Sequence, residues 1–287
     1  EVTSTPITSD GFGGPLIKDV DIHADQAAGA FNIFDVLVDA HDRVRRMTGR
    51  DLGAIYAYWA TGADTTDTLY CSQFLYQFGV CTELGALSVQ GKDTDRDEYD
   101  DMVITKEFFK LALDRLTRDD NPGGAVDGTR TDPRRAWTEA ASTFFACDVR
   151  GTEWYVDSRP FGVYVVENLE AMASPFAYGS EGAQHGSVSP YLVSAVLWDL
   201  ADGGSGEVFD AVSAGQAGIY DAIFHALPRE GFVDRGVMGV DLVDFLDGWF
   251  CRGWGQTAAV THIVEVSRDF PYDFAGPPSC LDEPGGP

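Results

Sequence analysis

Basic residues are scarce in this sequence, and lysine is the scarcest of them. Lys18, Lys92, Lys106 and Lys110 are the only lysines among 287 residues. The chain has 20 basic residues against 46 acidic ones, which gives a formal net charge of −26. Such a surface repels phosphate backbones, so the composition excludes nucleic-acid binding as the function. We expect a solvated acidic surface, of a kind that suits a salty extracellular medium.

Long apolar runs and several catalytic signatures are also missing. No run approaches the roughly 20 apolar residues that a membrane-spanning helix needs, so we expect a soluble chain without a membrane span. The sequence contains no G-x-S-x-G element, which removes the support for a serine hydrolase. It contains no C-x-x-C pair and no Cys/His cluster with metal-ligand spacing.

Cysteine is present at five positions, too few for a scaffold built from disulfides. Cys71 and Cys81 lie in neighbouring β-like segments, where a disulfide would close a hairpin. Cys251 and Cys280 would tie the last helical segment to the Pro-rich tail, and Cys147 is left over as a buried thiol. Disulfide use predicts an exported protein, either secreted or on the cell surface.

Composition divides the chain into three parts. Residues 1–29 show little periodicity and predict an extended N-terminal arm. Residues 30–270 alternate periodic apolar segments with turn residues and predict the folded domain. Residues 271–287 are rich in Pro and Gly and predict a tail resembling a linker.

Short β-prone segments come early in the domain and helical ones dominate afterwards. Helical spacing starts at Phe31, and the aromatic segments at 54–60 and 69–78, with the short segment at 86–89, predict strands. Asp132 and Pro133 are a typical helix start, as are Ser189 and Pro190. The order predicts an α+β fold, with a small N-terminal sheet followed by a mainly helical C-terminal lobe.

Residues 97–147 carry the most specific pattern. They contain the acidic lead DEYDD, the helical segment VITKEFFKLAL, a loop with NPGG, and the helical segment AWTEAASTFF. This order resembles the active-site region of gluzincin-type zincin metallopeptidases, in which V-I-x-H-E-x-x-H is followed by W-x-E-x-x-A-x-F. In that family two histidines one helical turn apart and a glutamate from the second helix hold zinc, and the first helix's glutamate is the general base.

The resemblance assigns a position to each residue of a degenerate site. Lys106 and Lys110 stand at the histidine positions, Glu107 at the base position and Glu139 at the third-ligand position. An ammonium group has no lone pair to offer, so we expect neither zinc nor hydrolysis by the family's mechanism. We hypothesise that both lysines pair with Glu139 and replace the missing positive charge. The alternative is that both point into solvent as an ordinary charged helix face.

Three weaker expectations accompany this site. Phe109, where the family usually has glycine, would fill the cleft with a ring. His185 lies in the region where such peptidases place a residue that stabilises the transition state, and we treat it as vestigial. Asp199, Asp202 and the acidic run 93–101 supply oxygen atoms that suit structural calcium, the one cofactor left open.

The sequence therefore predicts a zincin-like fold in a secreted protein without catalytic activity. Its function would be that of a binding or structural subunit in an extracellular assembly, with an unidentified protein or peptide partner. Self-assembly through the arm at residues 1–29 is a further possibility. The alternative is an active secreted metallopeptidase with non-standard metal ligands drawn from scattered histidines.

Overall fold

The structure, a computed structural model, describes residues 27–65, 67–124, 126–170, 187–203, 212, 215–227 and 234–274. The helices are α1 (Ala28–Thr48), α2 (Gln73–Gln77), α3 (Asp101–Leu116), α4 (Pro133–Arg150), α5 (Pro190–Ala201), α6 (Gly215–Asp221), α7 (Leu242–Cys251) and α8 (Thr257–Thr261). The strands are β1 (Ala57–Tyr58), β2 (Leu69–Tyr70), β3 (Leu87–Ser88), β4 (Trp154–Arg159) and β5 (Gly162–Asn168). A short 3-10 helix spans Asp97–Tyr99, and α6 and α8 continue as π-helical turns at Ala222–Ala226 and His262–Ser267.

The core is helical, and α3 and α4 lie at its centre. Phe109 of α3 stacks on Phe145 of α4 with ring centroids 4.1 Å apart, and both rings are fully buried. Burial of an aromatic side chain of this size contributes about 2–3 kcal/mol, so such contacts fix how the two helices meet. The start of α4 is set by Asp132, whose side chain accepts from the Arg134 backbone N–H, and its end by Gly151 in the left-handed region.

Two small sheets flank this core. The first has the strand order β1-β3-β2, in which β1 runs parallel to β3 and β2 runs antiparallel to it. The second is the antiparallel hairpin of β4 and β5, with Tyr155 opposite Glu167. The described chain is thus a mixture of helices and small sheets, compatible with the predicted α+β class.

Two local predictions were wrong. Residues 69–78 were expected to be one strand, but β2 ends at Tyr70 and α2 follows, because the Ser72 side chain accepts from the Leu75 backbone N–H and starts a helix. The hairpin of β4 and β5 was not predicted at all. The strands were therefore not confined to the early part of the chain.

The expected arm and tail both reach into the folded part. Helix α1 begins at Ala28, so residues 28 and 29 are helical, and a Cβ on Gly29 would lie 2.7 Å from both Glu98 and Trp59. Tyr272 is buried and stacks on Phe250, with ring centroids 6.1 Å apart. The rest of the arm (1–26) and of the tail (275–287) lies outside the described residues.

None of the helices in the described ranges combines the length and apolar character that a membrane crossing requires.

Candidate functional site

The predicted site residues occupy facing sides of α3 and α4. Lys106 and Lys110 are four residues apart on α3, so they project from one face of the helix. Glu139 projects towards them from α4. Glu107 lies beside Lys110, and its side chain is 8% exposed. The structure therefore brings together all four residues that the motif singles out.

Both ammonium groups contact the Glu139 carboxylate. Lys106 Nζ lies 3.0 Å from Glu139 Oε2, and Lys110 Nζ lies 2.6 Å from Glu139 Oε1. Lys110 Nζ also lies 2.7 Å from Glu107 Oε1. The lysine side chains are only 19% and 16% exposed, so the alternative of a solvated charged face is wrong. The hypothesis that both lysines pair with Glu139 is confirmed.

The remaining oxygen of Glu107 connects this cluster to the first sheet. Glu107 Oε2 accepts a 2.8 Å hydrogen bond from the Tyr70 backbone N–H in β2. All four carboxylate oxygens of Glu107 and Glu139 therefore accept from donors of the chain itself. Because each oxygen has a donor, the two carboxylates do not need a metal ion to satisfy their hydrogen bonds or to offset their charge.

Electrostatics favour the ionised form of the paired groups. Burial opposes the ammonium charge, but the Glu139 and Glu107 carboxylates outweigh it and raise the pKa of Lys106. The pKa of Lys110 is raised by the same two carboxylates against the same effect of burial. Burial would raise the pKa of Glu139, but Lys110 and Lys106 lower it below its ordinary value. Lys106, Lys110 and Glu139 thus hold one another in their ionised forms within a largely buried cluster.

The hairpin of β4 and β5 forms a wall of this site that sequence reasoning missed. Lys106 Nζ lies 5.1 Å from the centre of the Tyr155 ring, a cation–π distance. Glu167 accepts a hydrogen bond from the Ser194 hydroxyl of α5. Burial raises the pKa of Glu167 to about 7, although Ser194 and Lys106 act in the opposite direction. The sequence does contain a feature that predicts these strands. The segments WYVDSR and GVYVVEN, on either side of Pro160, are rich in β-branched and aromatic residues.

Two further residues were expected near the site, and the structure describes only one of them. Phe109 is fully buried and contacts Phe145, Tyr220 and Phe224, so its ring belongs to the core and does not fill a cleft. At about 100° per residue, position 109 lies roughly 80° around the helix axis from the midpoint between the two lysines, and its ring meets Phe145 of α4 in the core. His185 lies outside the described residues, and its vestigial role stays a prediction.

The cysteine predictions have different outcomes. Cys71 and Cys81 form a disulfide, with their Cα atoms 5.8 Å apart. It encloses α2 and does not close a hairpin, because β2 pairs with β3 and not with the segment at Cys81. Cys147 is a buried free thiol, as predicted. Cys280 lies outside the described residues, so its pairing with Cys251 stays a prediction.

Two aspartates of the predicted calcium run, Asp95 and Asp97, lie close to Asp157, which the sequence did not single out. In the described part of the chain, Asp95, Asp97 and Asp157 each place one oxygen within 4.8 Å of the others. Burial, with Asp95 and Asp157 nearby, raises the pKa of Asp97. Asp199 instead accepts from Arg268 at both oxygens, at 2.8 and 2.7 Å. Structural calcium stays a prediction, and exposed acidic groups often cluster without an ion.

Comparison with known proteins adds no family assignment. No protein-family model matches the chain, and no curated protein is significantly similar to it in sequence. The resemblance to the gluzincin motif therefore rests on the sequence of residues 97–147 alone.

The donor set does not suit a catalytic zinc ion. Zinc in a gluzincin-type site needs two imidazole nitrogens and a carboxylate, with one position left for water. Here the two positions that would supply nitrogen lone pairs carry protonated amines, and the carboxylates are already paired. What the arrangement can do is hold α3, α4 and the first sheet in a fixed relation.

Proposed function

We propose that this protein is a secreted, zincin-like protein without peptidase activity, which acts as a binding or structural subunit of an extracellular assembly. The observation that carries the proposal is the position of the two lysine ammonium groups against Glu139. They occupy the helix positions of the family's zinc-binding histidines, and they supply the two positive charges that a zinc ion would bring.

The ion pairs keep the packing of α3 against α4, while the lysines remove the zinc ligands that hydrolysis would need. An unpaired buried carboxylate costs several kcal/mol, so loss of a metal ion without compensation would destabilise the domain. The lysines provide that compensation at Glu139, and Lys110 provides it at Glu107 as well. Both oxygens of Glu107 are occupied, one by the Lys110 ammonium and the other by the Tyr70 N–H, so neither is free to accept a proton as a general base must.

Export is supported by the disulfide and by the surface charge. The Cys71–Cys81 disulfide is of a kind that persists in oxidising compartments. A net charge of −26 keeps a protein soluble at high ionic strength. Both features are compatible with a secreted protein whose role depends on its surface.

The test is zinc binding by the wild type and by the double variant Lys106→His/Lys110→His. After exposure to zinc and removal of the excess, we expect no stoichiometric metal in the wild type and about one zinc per chain in the double variant. The control is Lys92→His, which adds a histidine at a surface lysine paired with Asp64 and should bind no zinc. Circular dichroism checks that all three proteins are folded.

Two outcomes would overturn the proposal. Stoichiometric zinc in the wild type, with hydrolysis of a peptide substrate, would show an active enzyme with other ligands. A folded double variant that binds no zinc would show that α3 and α4 lack the zincin arrangement, and the resemblance would then have no structural basis.

A further inference from the structure

A polar cavity lies between the C-terminal half of α1 and the end of α4. Its volume is about 260 Å³. The described residues that line it are Asp39, Arg43, Arg46, Asp148 and Val149. The three residues from α1 are spaced by four and three positions, so they share one side of that helix. Asp148 lies about 13 Å further along α4 than Glu139, so the cavity is separate from the lysine–glutamate cluster.

One ion pair forms a fixed wall of this cavity. Arg43 Nε donates to Asp148 Oδ2 at 3.1 Å, and Arg43 Nη2 donates to the two oxygens of Asp148 at 3.0 and 2.8 Å. The Tyr220 hydroxyl donates to the same carboxylate at 2.6 Å. The Asp148 side chain is only 2% exposed. Because this carboxylate is buried and satisfied by the chain, it belongs to the fold and is not left for a ligand.

The other two charged residues of the cavity have no partner among the described residues. Of the arginines in the described ranges, only Arg45 and Arg46 make no hydrogen bond, ion pair or ring contact. The chain has 46 acidic residues against 20 basic ones, so a guanidinium group without a carboxylate is unusual here. Asp39, on the same side of α1 as Arg46, also makes no such contact within the described ranges. A guanidinium group and a carboxylate therefore line the cavity without partners in the described chain.

These charges favour a ligand that carries both signs. Arg46 can bind a carboxylate through two N–H groups, and Asp39 can bind an ammonium group. A simple anion is disfavoured, because Asp42 is exposed one turn before Arg46 and the chain has a net charge of −26. A simple cation would contact Asp39 but would also lie near the guanidinium groups of Arg43 and Arg46. A zwitterion has no net charge and avoids both penalties.

We propose that this cavity binds a small zwitterionic amino acid, with the ligand's carboxylate on Arg46 and its ammonium group on Asp39. The inference goes beyond the proposed function and does not depend on it. The volume lies below the roughly 300–1,000 Å³ of sites for drug-sized ligands, so it suits a molecule of amino-acid size.

The spacing along α1 favours a ligand whose two charges are well separated. The Cα atoms of Asp39 and Arg46 are about 10 Å apart along the helix axis. The Arg46 side chain shortens this gap, because helical side chains lean towards the N-terminus of their helix. An amino acid with several carbon atoms between its ammonium and carboxylate groups therefore matches better than glycine does. Both residues are exposed, so we expect a dissociation constant on the order of 1 mM.

The experiment is an NMR titration of the full chain with γ-aminobutyrate at a constant ionic strength of about 0.15 M. We expect saturable shifts of the backbone amides of α1 around Asp39 and Arg46, with a dissociation constant on the order of 1 mM. Butyrate and butylamine each carry only one of the two charged groups. Each should bind about fivefold or more weakly, because it forms only one of the two ion pairs.

Variants test the two ligand-binding residues separately. Arg46→Gln and Asp39→Asn should each weaken the binding of γ-aminobutyrate by about fivefold or more. The matched control is Arg45→Gln, which removes the neighbouring unpaired arginine outside the cavity and should leave the dissociation constant unchanged. Absence of a saturable shift up to about 20 mM γ-aminobutyrate would overturn the proposal. Butyrate that binds as tightly as γ-aminobutyrate would overturn it as well, as would equal effects of the two arginine variants.

Discussion

Lys110 Nζ lies 2.6 Å from Glu139 Oε1, so an ammonium group of α3 contacts a carboxylate of α4 across the centre of the site. The same nitrogen lies 2.7 Å from Glu107 Oε1. Lys110 thus bridges the two glutamates that a gluzincin-type site would use as metal ligand and base. Because each carboxylate is buried and paired, removal of one member of the cluster leaves the others without compensation.

The first prediction concerns the variant Glu139→Gln. It keeps the shape of the side chain but leaves the charges of Lys106 and Lys110 without their shared partner. We expect the free energy of unfolding to fall by about 3 kcal/mol, measured by urea denaturation near neutral pH. The control is Glu83→Gln at an exposed position, where we expect a change below about 0.5 kcal/mol. Equal effects of the two variants would contradict a structural role for the ion pairs.

The second prediction concerns the coupling between Lys110 and Glu139. In a double-mutant cycle with Lys110→Met and Glu139→Gln, the losses of stability should not add. The double variant should be more stable than the sum predicts by about 1–3 kcal/mol, because each single variant leaves a buried charge without its partner. Additive losses would show that the contact contributes nothing beyond its two separate side chains.

The third prediction concerns pH and Glu167, whose pKa is raised to about 7 by burial. Because the folded state favours the protonated carboxyl, this group stabilises the fold fully below its unfolded pKa of about 4.3. That contribution is lost as the pH rises through about 7. We therefore expect Glu167→Gln to be more stable relative to the wild type at about pH 8 than at about pH 5.

Thermal unfolding at several pH values measures this difference. Lys106, Ser194 and the Tyr155 ring surround this part of the site and are unchanged in the variant. A gap between variant and wild type that stays constant from about pH 5 to pH 8 would show that Glu167 titrates as it does in the unfolded chain.

The fourth prediction concerns the disulfide between Cys71 and Cys81, which closes a loop with a sequence separation of 10. Chain entropy for a loop of this length predicts that Cys71→Ser/Cys81→Ser lowers the free energy of unfolding by about 2–3 kcal/mol. Denaturation of the oxidised wild type, the reduced wild type and the variant provides the measurement. The reduced wild type and the variant should have the same free energy of unfolding. A reduced protein as stable as the oxidised one would contradict the prediction.

Several features of the site and the fold could be predicted from the sequence, because they depend only on residues that are close together along the chain. Residues four apart on a helix share a face, so the placement of Lys106 with Lys110 follows from helix geometry. The starts of α4 and α5 were predictable because Pro133 and Pro190 occupy first helical positions. The α2 helix was missed because its aromatic residues favour strands. The β4–β5 hairpin was missed because Pro160 interrupts the β-prone run, and a proline inside such a run argues against a strand.

The sequence by itself determined the acidity of the surface, the mixture of helices and short strands, and the shared face of the two lysines, since each depends on composition or on neighbours along the chain. Only the tertiary structure decided which carboxylate oxygen each ammonium contacts and that the Tyr70 N–H donates to Glu107. It also decided that Tyr155 and Glu167 flank the site. These contacts join distant segments, and their geometry is fixed by how the helices and sheets pack.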